Sequence, residues 1–393
     1  MGKENTQPRL FSPVFILLIV LNTVTSAGFY MTMPTLPKYA LSVGLTLTLA
    51  GTLSGVFSIS SIIIRPFAGW IADSTNKKWL LAGSTAVICL SMMGYSFAKG
   101  AYSLFAVRLL HGAAFAVSST THLAFATCFI PKERMGEGVS YMGFSQILAM
   151  AIAPNLGLQI SASLGYEAMF RISAVLIGLA AFCMVFIPYE NNQALLHEKP
   201  KRKVSNLIAF DLLSFTYITA LFSMSNGIAT SFLSLLADER GISGVGMFFT
   251  LSSVAVLIAR LLTGKLMDKR GLGIVVIPSL IMGAGSLAMV GWARVLWPIL
   301  VAGCLKGIGQ SAGQSGVQAE CARRVDATRR GVAMATCYLG NDIGQGLGTS
   351  LGGYLSATMG YGGMFLVMGA AMLTGILMYA IQVRIDHKKA KGL

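Results

Sequence analysis

Twelve times along this chain, roughly twenty residues pass with almost no charge. The stretches fall at about 12–37, 46–72, 79–98, 102–130, 137–163, 168–188, 207–236, 242–267, 272–292, 295–322, 331–358 and 361–384. A helix needs about 20 apolar residues to cross the hydrocarbon core of a bilayer. Only 11% of the 393 residues are charged and mean hydropathy is +0.69, whereas a soluble domain carries about twice that share of charge. The predicted fold is an all-α polytopic membrane protein with twelve transmembrane helices.

A net charge of +15 could suggest a nucleic-acid partner, so its distribution matters. With the N-terminus inside, twenty-one of the thirty Lys and Arg residues fall in cytoplasmic segments, and five fall in outer loops and helix ends. That asymmetry follows the positive-inside rule, placing both termini in the cytoplasm. The charge then records topology and contact with anionic lipid, and no nucleic acid is expected.

The six cysteines lie in or at the edges of spans with no CxxC pair, so free thiols are expected, with no disulfide and no metal. MGKENT matches a myristoylation pattern, but twelve spans make such an anchor redundant. Residues 13–28 resemble a signal-peptide core, yet the apolar pattern continues past them, and they are assigned to the first helix.

The chain also repeats itself at an offset of 195 residues: Arg65/Arg260, Gly69/Gly264, Asp73/Asp268, Gly112/Gly307, Arg134/Arg329, Gly136/Gly331 and Gly157/Gly352. GYEAMF at 165–170 likewise matches GYGGMF at 360–365. A register without insertions indicates an internal duplication. Six spans per half make the repeats parallel, giving bundles at 1–188 and 207–393 joined by a polar cytoplasmic linker at 189–206. Pseudo-symmetric six-helix bundles about an axis normal to the membrane are a transporter plan, with the substrate between them.

GWIADSTNKK, through Gly69, Asp73, Lys77 and Lys78, resembles the loop 2–3 signature of the major facilitator superfamily, and that resemblance covers nearly the full length. Ser74 and Asn76 replace a basic residue and a glycine of the signature; asparagine tolerates the left-handed turn that a glycine would supply. An aspartate there can accept hydrogen bonds from another helix N-terminus and pair with an arginine. The resemblance implies that Asp73 meets the eleventh span near Gly331. Gly69, Asp73, Lys77, Lys78, Arg134, Gly264 and Asp268 would then form a cytoplasmic gate.

Ionisable groups at membrane depth are costly and hence functional candidates. Arg108, His111, Ser118 and His122 share one face of the fourth span, and Lys306, Gln310, Gln314 and Gln318 recur every four residues on the tenth. Asp342 lies about ten residues into the eleventh span, roughly 15 Å at 1.5 Å per residue, near the depth of Lys306. Matched depth predicts a Lys306–Asp342 ion pair, since neither charge is stable alone in low dielectric. That pair either couples to protons or only positions two helices. Arg108–Gly112 resembles the family's Arg-x-x-x-Gly pattern, which implies a role in proton transfer. Gln146, Asn155, Tyr217, Asn226 and Asn341 are further candidates for the cavity wall, and the histidines either titrate near neutrality or only hydrogen-bond.

The resemblance extends to the exporter motif of the fifth span. AMAIAPNLGL keeps Pro154 and Gly157 while three of its four glycines are substituted, two of them by Ala149 and Ala153; Gly344, Gly348, Gly352 and Gly353, with Thr349 for the proline, form a cleaner copy in the second half. Small residues at these spacings permit close helix crossing. The first, second, fourth and fifth spans carry no acid within the membrane, so Arg108 and Lys306 against Asp342 favour an anionic or zwitterionic substrate. The resemblance thus implies proton-coupled export of a small organic compound or drug by alternating access. Its energy would come from the proton gradient without a cofactor, in a monomer held among the lipids of the cell (inner) membrane. Uptake of an organic anion or sugar by symport is the alternative; lipid flipping and a non-transport scaffold are others. No nucleotide loop, HExxH or nucleophile constellation points to an enzyme.

Overall fold

The computed structural model describes residues 10–131, 134–189, 209–324 and 330–390, without the side chains of residues 66, 69, 70, 73, 74, 135–137, 139, 140, 261–270, 322, 330–335 and 387–390. The helices are α1 Pro13–Ser42, α2 Leu47–Ser74, α3 Lys77–Phe97, α4 Ala101–Ala126, α5 Met135–Leu164 and α6 Tyr166–Val185 in the first half. The second half holds α7 Leu213–Glu239, α8 Met247–Arg270, α9 Gly273–Trp292, α10 Leu296–Arg323 and α11 Arg330–Ala390. Gly360, at φ 74° and ψ 168°, divides α11 into two arms, here α11a (330–359) and α11b (361–390). Twelve α-helical segments result among the described residues. Nine helices among the described residues are long and apolar enough to cross a membrane; α10 is not one of them, because its lysine and glutamines lower its hydropathy.

Local chemistry sets the helix ends. Ser12 accepts from Phe15 N at 3.1 Å with Pro13 in the first turn, and Thr46 accepts from Leu49 N at 3.3 Å. Asn76 does not take the left-handed turn expected of it. Its backbone is extended, at φ −69° and ψ 110°, and its side chain caps α3 by accepting from Lys78 N at 3.0 Å. The capping carbonyl oxygen favours that geometry, whereas a left-handed turn would waste it. At the C-terminus of α9 the Arg240 guanidinium donates to the carbonyls of Val290, Gly291 and Ala293, supplying orphan acceptors with a cation.

The 195-residue register governs the packing. Gly165, at φ 87° and ψ 164°, separates α5 from α6 in the glycine-only conformation that Gly360 adopts between the arms of α11. Gly112 lets α4 close onto α2, where an added Cβ would lie 2.6 Å from the Phe57 carbonyl oxygen. Its mate Gly307 meets the carbonyl of Ser252, which is itself the mate of Phe57. Gly157 packs on Met31 of α1, and Gly344 and Gly348 pack on Ala220 and Met224 of α7. Between the halves, α2 runs along α11, α5 along α8 and α1 along α7.

Described contacts between the halves include a cluster at one end. Gly51 faces Gly353, Lys38 Nζ lies 2.6 Å from Asp238 Oδ2, and Ser234 donates to Pro34 O at 3.2 Å. The opposite end carries Lys77, Lys78, Arg134, Arg323, Arg324 and Arg384, and is called the basic face below. The six thiols are free, but only Cys321 and Cys337 are fully buried.

Gly112→Ala and Gly307→Ala should each cost about 1–3 kcal/mol by overpacking and lower the thermal midpoint of the purified protein. Gly83→Ala, where nothing lies within 4 Å of the added carbon, should leave the midpoint unchanged or raise it.

Candidate functional site

Between the halves lies a cavity of about 460 Å³, within the range of small-molecule sites. α1, α2, α4 and α5 line it on one side, α7, α8, α10 and α11a on the other. Much of the wall is built from repeat-mates: Arg65/Arg260, Phe115/Gln310, Ser119/Gln314, Gly143/Tyr338, Gln146/Asn341, Ile147/Asp342 and Met150/Gln345. The chemistry of the mates has diverged, so the two walls differ.

The first half presents aromatic surface. Phe29 stacks on Phe115 with centroids 4.6 Å apart, and Phe57 lies 5.0 Å from Phe29 and 5.4 Å from Phe115. The second half presents amides on a continuous hydrogen-bonded chain. Lys306 Nζ donates to Asn226 Oδ1 at 2.9 Å and to Gln310 Oε1 at 2.8 Å. Gln310 then donates to Gln314 at 3.3 Å, and Gln314 to Asn341 Oδ1 at 2.7 Å. The four-residue spacing on α10 puts Lys306, Gln310 and Gln314 on one face, so each amide can accept from one turn and donate to the next. Lys306 is 4% exposed and needs those acceptors, since a buried ammonium without partners is costly.

Asp342 is the one acidic residue among the lining residues described. The expected Lys306–Asp342 pair does not form. Asp342 pairs instead with Arg65 across the halves, Arg65 Nε lying 2.9 Å from Oδ2 and Nη2 donating to Oδ1 at 3.2 Å. The reason is the packing order: α10 lies chiefly on α8 and α9, while α11 lies on α7 and α2. Consecutive helices at matched depth are therefore not the nearest neighbours, and the arginine of α2 supplies the counter-charge.

Other expected residues fall elsewhere. Gln146, Asn226, Gln310, Gln314, Gln318 and Asn341 line the cavity. Arg108 lies behind it, 1% exposed, with its guanidinium 4.6 Å from the centre of the Phe57 ring and Nη2 donating to Met33 Sδ at 3.7 Å. His111 is sealed behind the same aromatic wall, its Nδ1 3.2 Å from the Tyr95 hydroxyl; His122 bonds Leu18 O at 3.0 Å. Bulky rings at 29, 57 and 115 separate this face of α4 from the cavity. Asn155 packs against Gly246 at the closed end, and the Tyr217 hydroxyl meets Thr374 at 2.7 Å on the outer surface. Asp73, Gly69, Gly264 and Asp268 lie outside the described side chains, as does the contact expected near Gly331. Lys77 and Lys78 open α3, Arg134 caps the start of α5, and Pro154 lies inside α5.

Sequence reasoning missed the aromatic wall, because three phenylalanines on three apolar spans do not stand out. The repeat register could have found it, since Phe115 is the mate of Gln310. Arg65 was legible as part of a repeated motif, but the repeat alone did not mark it as a wall of the cavity.

The Major Facilitator Superfamily profile matches residues 18–293 and again 213–393. The chain is 23% identical over 386 residues to an uncharacterized MFS-type transporter of Methanocaldococcus jannaschii, covering 94% of this chain and 98% of that protein. It is 24% identical over 376 residues to the multidrug resistance protein MdtG of Enterobacter lignolyticus, covering 92% and 90%. The fold is similar to a mutant of the nucleoside transporter NupG, with a TM-score of 0.80 at 12% identity over 93% of this chain and 99% of that one.

Lys306→Met should strand two amide oxygens and lower the thermal midpoint, with a cost of about 1–3 kcal/mol. Lys306→Met combined with Asn226→Leu and Gln310→Leu should recover part of that loss; a triple variant no more stable than the single one would contradict the hydrogen-bonded chain.

Proposed function

We propose that this chain, which belongs to the Major Facilitator Superfamily, exports a small anionic or zwitterionic organic compound in exchange for protons. The chain is a multi-pass membrane transporter of small molecules and not an enzyme. The observation that carries the finer reading is the Arg65–Asp342 pair, which joins the halves inside the cavity at 2.9 Å.

A carboxylate in a partly desolvated cavity is stable beside a guanidinium, and its neutral form is stable without one. Protonation of Asp342 therefore weakens the tie between α2 and α11, and deprotonation restores it. The halves meet through that helix pair, so one proton biases whether they lie together at this level. The pair exists only with Asp342 ionised, so proton occupancy and the approach of the halves at this level are linked. Exchange follows where substrate binding favours the paired arrangement, in which Asp342 has given up its proton.

Direction and charge rest on separate grounds. The basic face is assigned to the cytoplasm by the positive-inside rule. Export loads the cavity from that face. Relatives such as MdtG, named for multidrug resistance, support the same direction. Arg65 and Arg260 line the cavity and Lys306 stands behind Gln310, against Asp342 alone, so the field favours an anionic group. The aromatic wall suits a flat apolar face of the substrate and the amide wall suits a polar edge.

In proteoliposomes with an imposed pH gradient, aromatic acids that are substrates should release protons, read by a pH-sensitive dye. Asp342→Asn should abolish that release and gradient-driven flux while downhill exchange persists. Unchanged gradient-driven flux in this variant would refute the coupling.

A further inference from the structure

The duplication leaves one position unfilled. Arg65 on α2 pairs with Asp342 on α11, and the same register relates Arg260 on α8 to Ile147 on α5. The α2–α11 and α5–α8 interfaces correspond in detail. Gly55 approaches Gly346, where an added Cβ would lie 2.7 Å from the carbonyl oxygen. Their mates are Thr250 and Ala151, and Thr250 Oγ1 donates to Ala151 O at 2.7 Å. Further along the same interface Arg260 faces α5, with Nη1 3.8 Å from where Gly143 would carry a Cβ, one helical turn from Ile147.

At this second site both partners of the first are missing. Ile147 stands where Asp342 supplies the carboxylate, and Gly143 stands where Tyr338 supplies bulk. Arg260 is exposed to the cavity and makes no ion pair among the described residues. A guanidinium presents two parallel donors that match a planar carboxylate. The space beside Gly143 is open to the same cavity, and the Phe29–Phe57–Phe115 wall belongs to that cavity too.

The geometry points to Arg260, Gly143 and Ile147 as the anion subsite, in which the carboxylate of an aromatic acid takes the place that Asp342 holds in the other half. This assignment rests on the anionic-substrate reading above but not on proton coupling. The bound acid completes a second cross-half ion pair, between α8 and its own carboxylate lying against α5. Cargo without a negative group leaves Arg260 unpaired, which makes this position a determinant of specificity.

Benzoate and p-hydroxybenzoate, each with its uncharged amide, are the probes, and binding is read by calorimetry on purified full-length protein in detergent. The wild type should bind each carboxylate roughly tenfold or more tightly than its amide, the scale of a hydrogen bond to a charged group. Arg260→Gln should bring that ratio close to one. Ile147→Asp should place an internal carboxylate against Arg260 and likewise abolish the preference. Asp342→Asn, which frees Arg65 in the same cavity, should not lower the preference, so loss of coupling alone leaves this assignment intact. A ratio unchanged in Arg260→Gln, or no binding of either carboxylate to the wild type, would overturn it.

Discussion

A carboxylate at the centre of a low-dielectric cavity needs a cation, and here the cation comes from the other half of the molecule. Asp342 on α11 is held by Arg65 on α2, and these helices form an extensive boundary between the halves. Removing one member of a buried pair strands the other charge. The state of one carboxyl group is thereby tied to how closely two six-helix bundles approach. Beside it, the amide chain from Lys306 ends at Asn341, the residue preceding Asp342.

The close approach behind that pair is a matter of glycine. Gly51 and Gly353 meet backbone to backbone, and Gly55 reaches Gly346. Without a hydrophobic drive between helices in lipid, such contacts hold the bundle through dispersion and shape. They also keep the boundary free of interlocking side chains, so two backbones can separate without withdrawing knobs from holes. A boundary built from glycines with a single titratable pair beside it has few terms to overcome when the halves move.

Much of the architecture was legible in the sequence because it rests on periodicity. Apolar length gave the helices, and the 195-residue register matched GYEAMF to GYGGMF, where Gly165 and Gly360 separate consecutive helices in one conformation. What failed was adjacency. Lys306 and Asp342 share a depth and lie on consecutive spans, but the connection between α10 and α11 does not make them neighbours. Depth is a one-dimensional quantity that apolar length reveals; azimuth around the bundle is not. Arg108 and His111 failed for the same reason, since a polar face on α4 can turn toward Tyr95 behind the aromatic wall as readily as toward the cavity.

Divergence between the repeats is where function separates from fold. Positions that set packing stay paired in kind, as with Gly112 and Gly307 or Gly157 and Gly352. Positions that face the cavity do not: phenylalanine at 115 answers glutamine at 310, and isoleucine at 147 answers aspartate at 342. A perfectly symmetric cavity would carry two ion pairs, each satisfied within the protein, and would offer a charged ligand nothing to complete. With isoleucine at 147 and aspartate at 342, one arginine is paired within the protein and the other keeps an unmet demand for negative charge. The asymmetry therefore sets apart two positions that the repeat relates, and both lie against one cavity of about 460 Å³.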